Sequence, residues 1–208
     1  MTKPRLRGVS HQYAFFVAIA AGVALVALAQ GLQARVAVAV YALSLAAMFG
    51  ASALYHRVDW APRPRAWLRR LDHSMIYVLV AGTYTPFALL VLAPALGWTI
   101  LGIVWAGALA GIVLSLVWID APRWLSAVLY VALGWVSVVV VPQLWDRVGV
   151  MAVALLATGG VLYTIGAVIY ARRRPDPAPR VFGYHEVFHV FVIVAATAHF
   201  AAVALATI

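Results

Sequence analysis

The stretch from Tyr184 to Ile208 reads YHEVFHVFVIVAATAHFAAVALATI. Beyond its first residues it is almost wholly apolar. Roughly 20 mostly apolar residues suffice for a helix to cross the hydrocarbon core of a bilayer, so this stretch reads as a membrane span. Ionisable groups nonetheless sit inside it: His185, Glu186, His189 and His199. Such groups are expensive in a span and mark function or a satisfied contact inside the bundle.

The rest of the chain has the same character. Of its 208 residues 66% are hydrophobic and only 10% are charged, against about 45–50% and about 25% in soluble domains. In water such a chain would expose large apolar patches. There is no cysteine, which excludes disulfides and thiolate metal sites. The net charge of +9 would suggest nucleic acid for a soluble protein. In a membrane protein it concerns sidedness and lipid contact, and no nucleic-acid partner is expected.

Apolar runs and their punctuation predict an all-α integral membrane protein, one domain of seven transmembrane helices over residues 1–208. The spans lie near His11–Gln30, Val36–Tyr55, Asp72–Leu92, Leu96–Trp118, Trp124–Val141, Gly149–Tyr170 and Tyr184 to the C-terminus. The breaks fall at Gln30-Gly31, Arg57 to Arg70, Ala93-Pro94, Asp120 to Pro122, Pro142 to Arg147 and Arg172 to Gly183. No small-residue cleavage site follows the first span, which is expected to be retained. Thirteen of the 15 lysines and arginines fall in the N-terminal tail and the second, fourth and sixth links, leaving Arg35 and Arg147 for the other side. The positive-inside rule then makes the N-terminus cytoplasmic and the C-terminus external, in the plasma (inner) membrane. Juxtamembrane arginines are read as topology and anionic-lipid contacts, and the tryptophans near span ends as an interfacial belt.

This topology gathers dispersed residues in one layer. Span two ends, and spans three and seven begin, on the cytoplasmic side. His56, Asp72, His185 and His189 therefore share one depth. His185 and His189, four apart, share a helix face one turn apart. With His56 they make three imidazole ligands, the number a catalytic zinc site uses while leaving a position for water. Asp72 is a candidate fourth ligand or the base that holds the water. Ser52, one turn deeper than His56, can hydrogen-bond the site. His199 lies roughly 15 Å beyond His189 and is expected to make an interhelical hydrogen bond. His11 and His73 are expected at the interface. His185 to His189 also spells H-E-x-x-H, the metalloprotease pattern with Glu as general base. Glu186 thus has two readings, base or loop-facing carboxylate.

With those residues in hand, the sequence resembles the hemolysin III family, part of the progestin and adiponectin receptor superfamily of seven-span proteins. The resemblance rests on SALYH at Ser52–His56, LDHSMI at Leu71–Ile76, AGTYTP at Ala81–Pro86 and HEVFH at His185–His189 with His199-Phe200 after it. It implies zinc held by His56, His185 and His189, with Asp72 near its water and Ser52 nearby, and a cytoplasmic N-terminus. Adiponectin receptors and the similar alkaline ceramidases suggest hydrolysis of a lipid amide. The expectation is therefore an intramembrane zinc hydrolase acting on a lipid-like amide or ester near the cytoplasmic face, with membrane lipids and an amphiphilic small molecule as partners. The rivals are a non-enzymatic zinc-containing sensor or pore-forming protein, and an intramembrane metalloprotease.

Overall fold

A computed structural model describes residues 3–208. Apart from one backbone bridge between Ala178 and Phe182, the regular structure among them is helical. The helices are α1 (Val9–Leu28), α2 (Leu32–Arg57), α3 (Pro62–Leu90), α4 (Pro94–Val117), α5 (Arg123–Trp135), α6 (Val141–Arg172) and α7 (Tyr184–Thr207), with a 3-10 segment, Val136–Val140, between α5 and α6. Six helical stretches are long and apolar enough to cross a membrane, the run Arg123–Arg172 counting as one. The outer surface is apolar, with Phe16, Leu43, Leu109 and Val117 all exposed, as in a bundle whose surroundings are lipid. Trp67, Trp98, Trp118, Trp124 and Trp145 are exposed at or near helix ends.

Two expected links are helical instead. The segment Arg57 to Arg70 folds into α3 from Pro62 onward. Pro62 and Pro64 sit in the first turn, where a missing N–H is harmless because that turn has no intrahelical acceptor for it. Pro142 likewise opens α6, so Pro142 to Arg147 is helical and the break comes later, at Gly149. Its φ of 78° and ψ of 171° are open to glycine and essentially closed to other residues. The 3-10 segment has a tertiary cause: the N–H of Ser137 donates to Tyr84 Oη at 2.7 Å, and the Tyr84 hydroxyl donates to the Gly134 carbonyl at 2.5 Å. A side chain of α3 thus replaces backbone partners at the end of α5.

The links gather at two ends. At the basic end the N–H groups of Arg5 and Leu6 donate to the carbonyls of Arg180 and Val181, both at 3.1 Å. There Lys3 pairs with Asp59 at 2.9 Å, holding that carboxyl below the usual carboxylate range, and Arg69 pairs with Asp120 at 2.8 Å. At the other end Gln33 donates to the Leu89 carbonyl at 2.9 Å, the Ala93 N–H to Gln143 at 3.0 Å, and Arg147 to the Val91 carbonyl at 2.9 Å. Helices α1 to α4 pack in chain order, and α7 packs on α6 while also touching α1, α2 and α3. That position of α7 carries its first two turns to the end of α2 and the start of α1.

Candidate metal centre

His56 lies in the last turn of α2, and His185 and His189 in the first two turns of α7. Each offers a nitrogen within 4.8 Å of the other two. The Nε2 atoms of His56 and His185 approach to 3.1 Å, and the ring centroids of His185 and His189 stand 4.5 Å apart. His56 and His189 are buried and His185 partly so. Among the described residues Nδ1 of His189 is buried without a hydrogen-bond partner, and an unpaired buried polar atom costs about 1–3 kcal/mol. Three neutral imidazoles converging on one point, one of them unpaired, suit a metal ion. Oδ2 of Asp72 lies 3.6 Å from His56 Nε2, with its side chain 13% exposed. The four residues expected at one depth are thus brought together.

Ser52 is buried and shares a 2.8 Å hydrogen bond with Nδ1 of His11. His11 departs from its expected interfacial place. It is 2% exposed, and its ring stacks on His189 with centroids 3.8 Å apart and planes 12° from parallel. Gly8 explains the approach. Its φ is +76°, and a Cβ added there would lie 2.6 Å from the Cβ of His56, so only glycine lets the start of α1 come this close. The sequence held one signal for His11: span one begins on the same side as spans three and seven, so it enters the layer of the other histidines.

Of its two readings Glu186 follows the loop-facing one, because its contacts are with residues that precede α1 and α7. It is 2% exposed, pairs with Arg7, and accepts the Gly183 N–H at 2.8 Å as part of a capping box at the start of α7. His73 is partly buried and lines the cavities described next. His199 makes the expected interhelical bond, its Nε2–H donating to the Leu156 carbonyl at 3.1 Å.

Two cavities meet at the cluster. One, about 220 Å³, is mainly apolar and follows one face of α3 from Asp72 to Leu92, a run of roughly 30 Å at 1.5 Å per residue. His11, Ser52, His185 and His189 line it near Asp72. The other, about 550 Å³, is a polar basin at the basic end, lined by His56 and by four arginines. Asp72, His73, Tyr170 and His185 line both. The three histidines therefore stand at the boundary between an apolar tunnel and a polar basin.

Comparison with known proteins identifies the family. The chain is 34% identical over 161 residues to Hemolysin-3 of Bacillus cereus, covering 77% of this chain and 70% of that protein. It is equally similar to the Hemolysin-3 homolog of Bacillus subtilis (strain 168), 34% over 161 residues, 77% of this chain and 72% of that one. The monocyte to macrophage differentiation factor of Homo sapiens is 24% identical over 205 residues, 93% of this chain and 80% of that protein. The haemolysin-III-related family matches residues 1–200. A multi-pass helical membrane protein with a His56, His185, His189 cluster, matched by that family across nearly its whole length, belongs to the haemolysin-III-related family.

Proposed function

We propose that this protein is an intramembrane zinc-dependent hydrolase that cleaves an acyl amide or ester near the cytoplasmic face of the plasma membrane. The observation that carries the reading is the position of the histidines where the apolar tunnel meets the polar basin. An acyl chain in the tunnel sets its carbonyl beside Asp72 and the histidines, with the headgroup in the basin. The supporting topology has seven crossings: Gly149 divides the run Arg123–Arg172 into two lengths, each able to span, and the links alternate between two ends. The basic end is cytoplasmic by the positive-inside rule.

Zinc fits the donor set. Two nitrogens about 2.0–2.1 Å from one tetrahedral ion lie about 3.3 Å apart, close to the 3.1 Å between His56 and His185. When bound by His56, His185 and His189, zinc supplies a Lewis acid and lowers the pKa of water to about 7. Asp72 accepts a proton from the attacking water and returns one to the departing amine or alkoxide. The water oxygen bonds the carbonyl carbon as the C–N or C–O bond breaks, giving a fatty acid and a free headgroup. Ser52 and His11 hold the ring of His189 in place. Glu186, engaged by Arg7 and the helix cap, takes no part, which separates this reading from the protease.

The test offers purified protein ceramides, acyl amines and lysophospholipids and measures released fatty acid. Wild type should release it from at least one class, and Asp72→Asn should lower the rate by about 10² to 10⁴, the usual worth of a general base. No release from any class would instead favour a sensor or a pore.

A further inference from the structure

The polar basin holds more positive charge than its acids balance. Arg7, Arg65, Arg69 and Arg123 line it. Arg7 is paired with Glu186 and Arg69 with Asp120. Among the described residues Arg65 and Arg123 have no carboxylate partner. Arg123 is nevertheless held in place. Its Nη1 donates to Tyr184 Oη at 3.2 Å, and its guanidinium lies over the Tyr170 ring, 5.6 Å from the centroid. Tyr184 adjoins His185 in sequence, and Tyr170 lines both tunnel and basin. Among the described residues only one of the five N–H donors of this guanidinium is used by a protein hydrogen bond. Arg65, on the Pro62 to Arg70 turns of α3, stacks over Tyr55 at 5.5 Å.

A guanidinium fixed by two tyrosines, with donors to spare, is a built anchor for an oxyanion. A mobile arginine serving only topology or the membrane surface needs no such fixing. We infer that the basin selects an anionic headgroup, bound through Arg123 and Arg65, so that the ligand is a single-chain amphiphile with a carboxylate, phosphate or sulfate beside its acyl linkage. The inference rests on the hydrolase reading for where the linkage sits, and on the basin alone for the charge. The tunnel accepts the chain and the arginines accept the anion, so both parts of the ligand are needed.

The test uses the full chain in phosphatidylcholine nanodiscs, with empty nanodiscs subtracted. Three probes are compared: N-lauroylglycine, which is anionic; N-lauroylethanolamine, the neutral counterpart; and N-acetylglycine, the anion without the chain. Binding and released laurate are both measured. N-lauroylglycine should bind at least about tenfold more tightly than N-lauroylethanolamine, as expected of one charge-assisted contact, and the preference should shrink with added salt. N-acetylglycine should bind at least about a hundredfold more weakly, for want of the apolar chain. The Arg65→Gln/Arg123→Gln variant should bind both lauroyl probes alike. Arg123→Lys should keep part of the preference, and Arg63→Gln, outside the basin, all of it. Equal binding of the two lauroyl probes by wild type, or a preference that survives the double glutamine change, overturns the inference. If laurate is still released in that case, the hydrolase reading stands without it. Charge-selective binding with no laurate released supports the anion site and refutes hydrolysis of these amides.

Discussion

Truncating His11 should loosen metal binding although His11 is not among the three converging ligands. Its ring is 2% exposed, stacks on His189 at 3.8 Å, and shares a 2.8 Å hydrogen bond with Ser52. His11→Ala removes all of these at once. An interhelical hydrogen bond in a membrane protein contributes about 0.6 kcal/mol, at most about 1.7. Emptying the space of a buried ring adds about 2–4 kcal/mol. Both losses fall beside His189, which is then free to rotate out of the cluster. Loss of a group that orients a ligand typically weakens metal affinity about 10- to 100-fold, equivalent to about 1.4–2.7 kcal/mol. His11→Phe keeps the aromatic plane and loses the bond to Ser52, so its effect should stay below about tenfold. Competition with a graded series of zinc chelators measures both. The order wild type, His11→Phe, His11→Ala is expected. If His11→Ala surrenders zinc at the same chelator concentration as wild type, the stack does not position His189. If His11→Phe is as weak as His11→Ala, the hydrogen bond and not the stack is what matters.

Arg7→Ala should lower thermal stability by about 3–5 kcal/mol, because it leaves the buried Glu186 carboxylate without its cation, and adding Glu186→Gln should restore part of it. Glu186→Gln alone should leave fatty-acid release within a few fold of wild type, and its abolition would instead make Glu186 the general base. Reporter fusions test the sidedness: one active only outside the cytoplasm should work at the C-terminus, whereas a fusion between Arg172 and Arg180 should report cytoplasm.

Much of the candidate site was legible because the expected alternation of spans puts distant sequence positions in one layer. His56 and His189 lie far apart in the chain, yet the end of α2 and the start of α7 meet, and the i, i+4 spacing of His185 and His189 fixes a shared face. What escaped depended on contacts with no periodic signal. His11 meets Ser52 and His189 only because Gly8 lets α1 approach His56 closely. The burial of Glu186 carries no local signal, because its partner, Arg7, sits at the opposite end of the sequence. Helix boundaries differ from expectation where proline opens a helix rather than breaking one. Pro62, Pro64 and Pro142 occupy first turns, where helices accept proline, and the break near residue 149 comes from a single glycine with left-handed φ. The 3-10 segment at Val136–Val140 could not be read from its valines, since Tyr84 on another helix imposes it.

Elemental analysis of gently purified protein tests the central claim most directly. The account predicts about one zinc per chain in wild type and little in His185→Ala or His189→Ala, each of which leaves only two imidazoles to hold the ion. A wild-type protein that carries no metal, or histidine variants that carry as much as wild type, would contradict it.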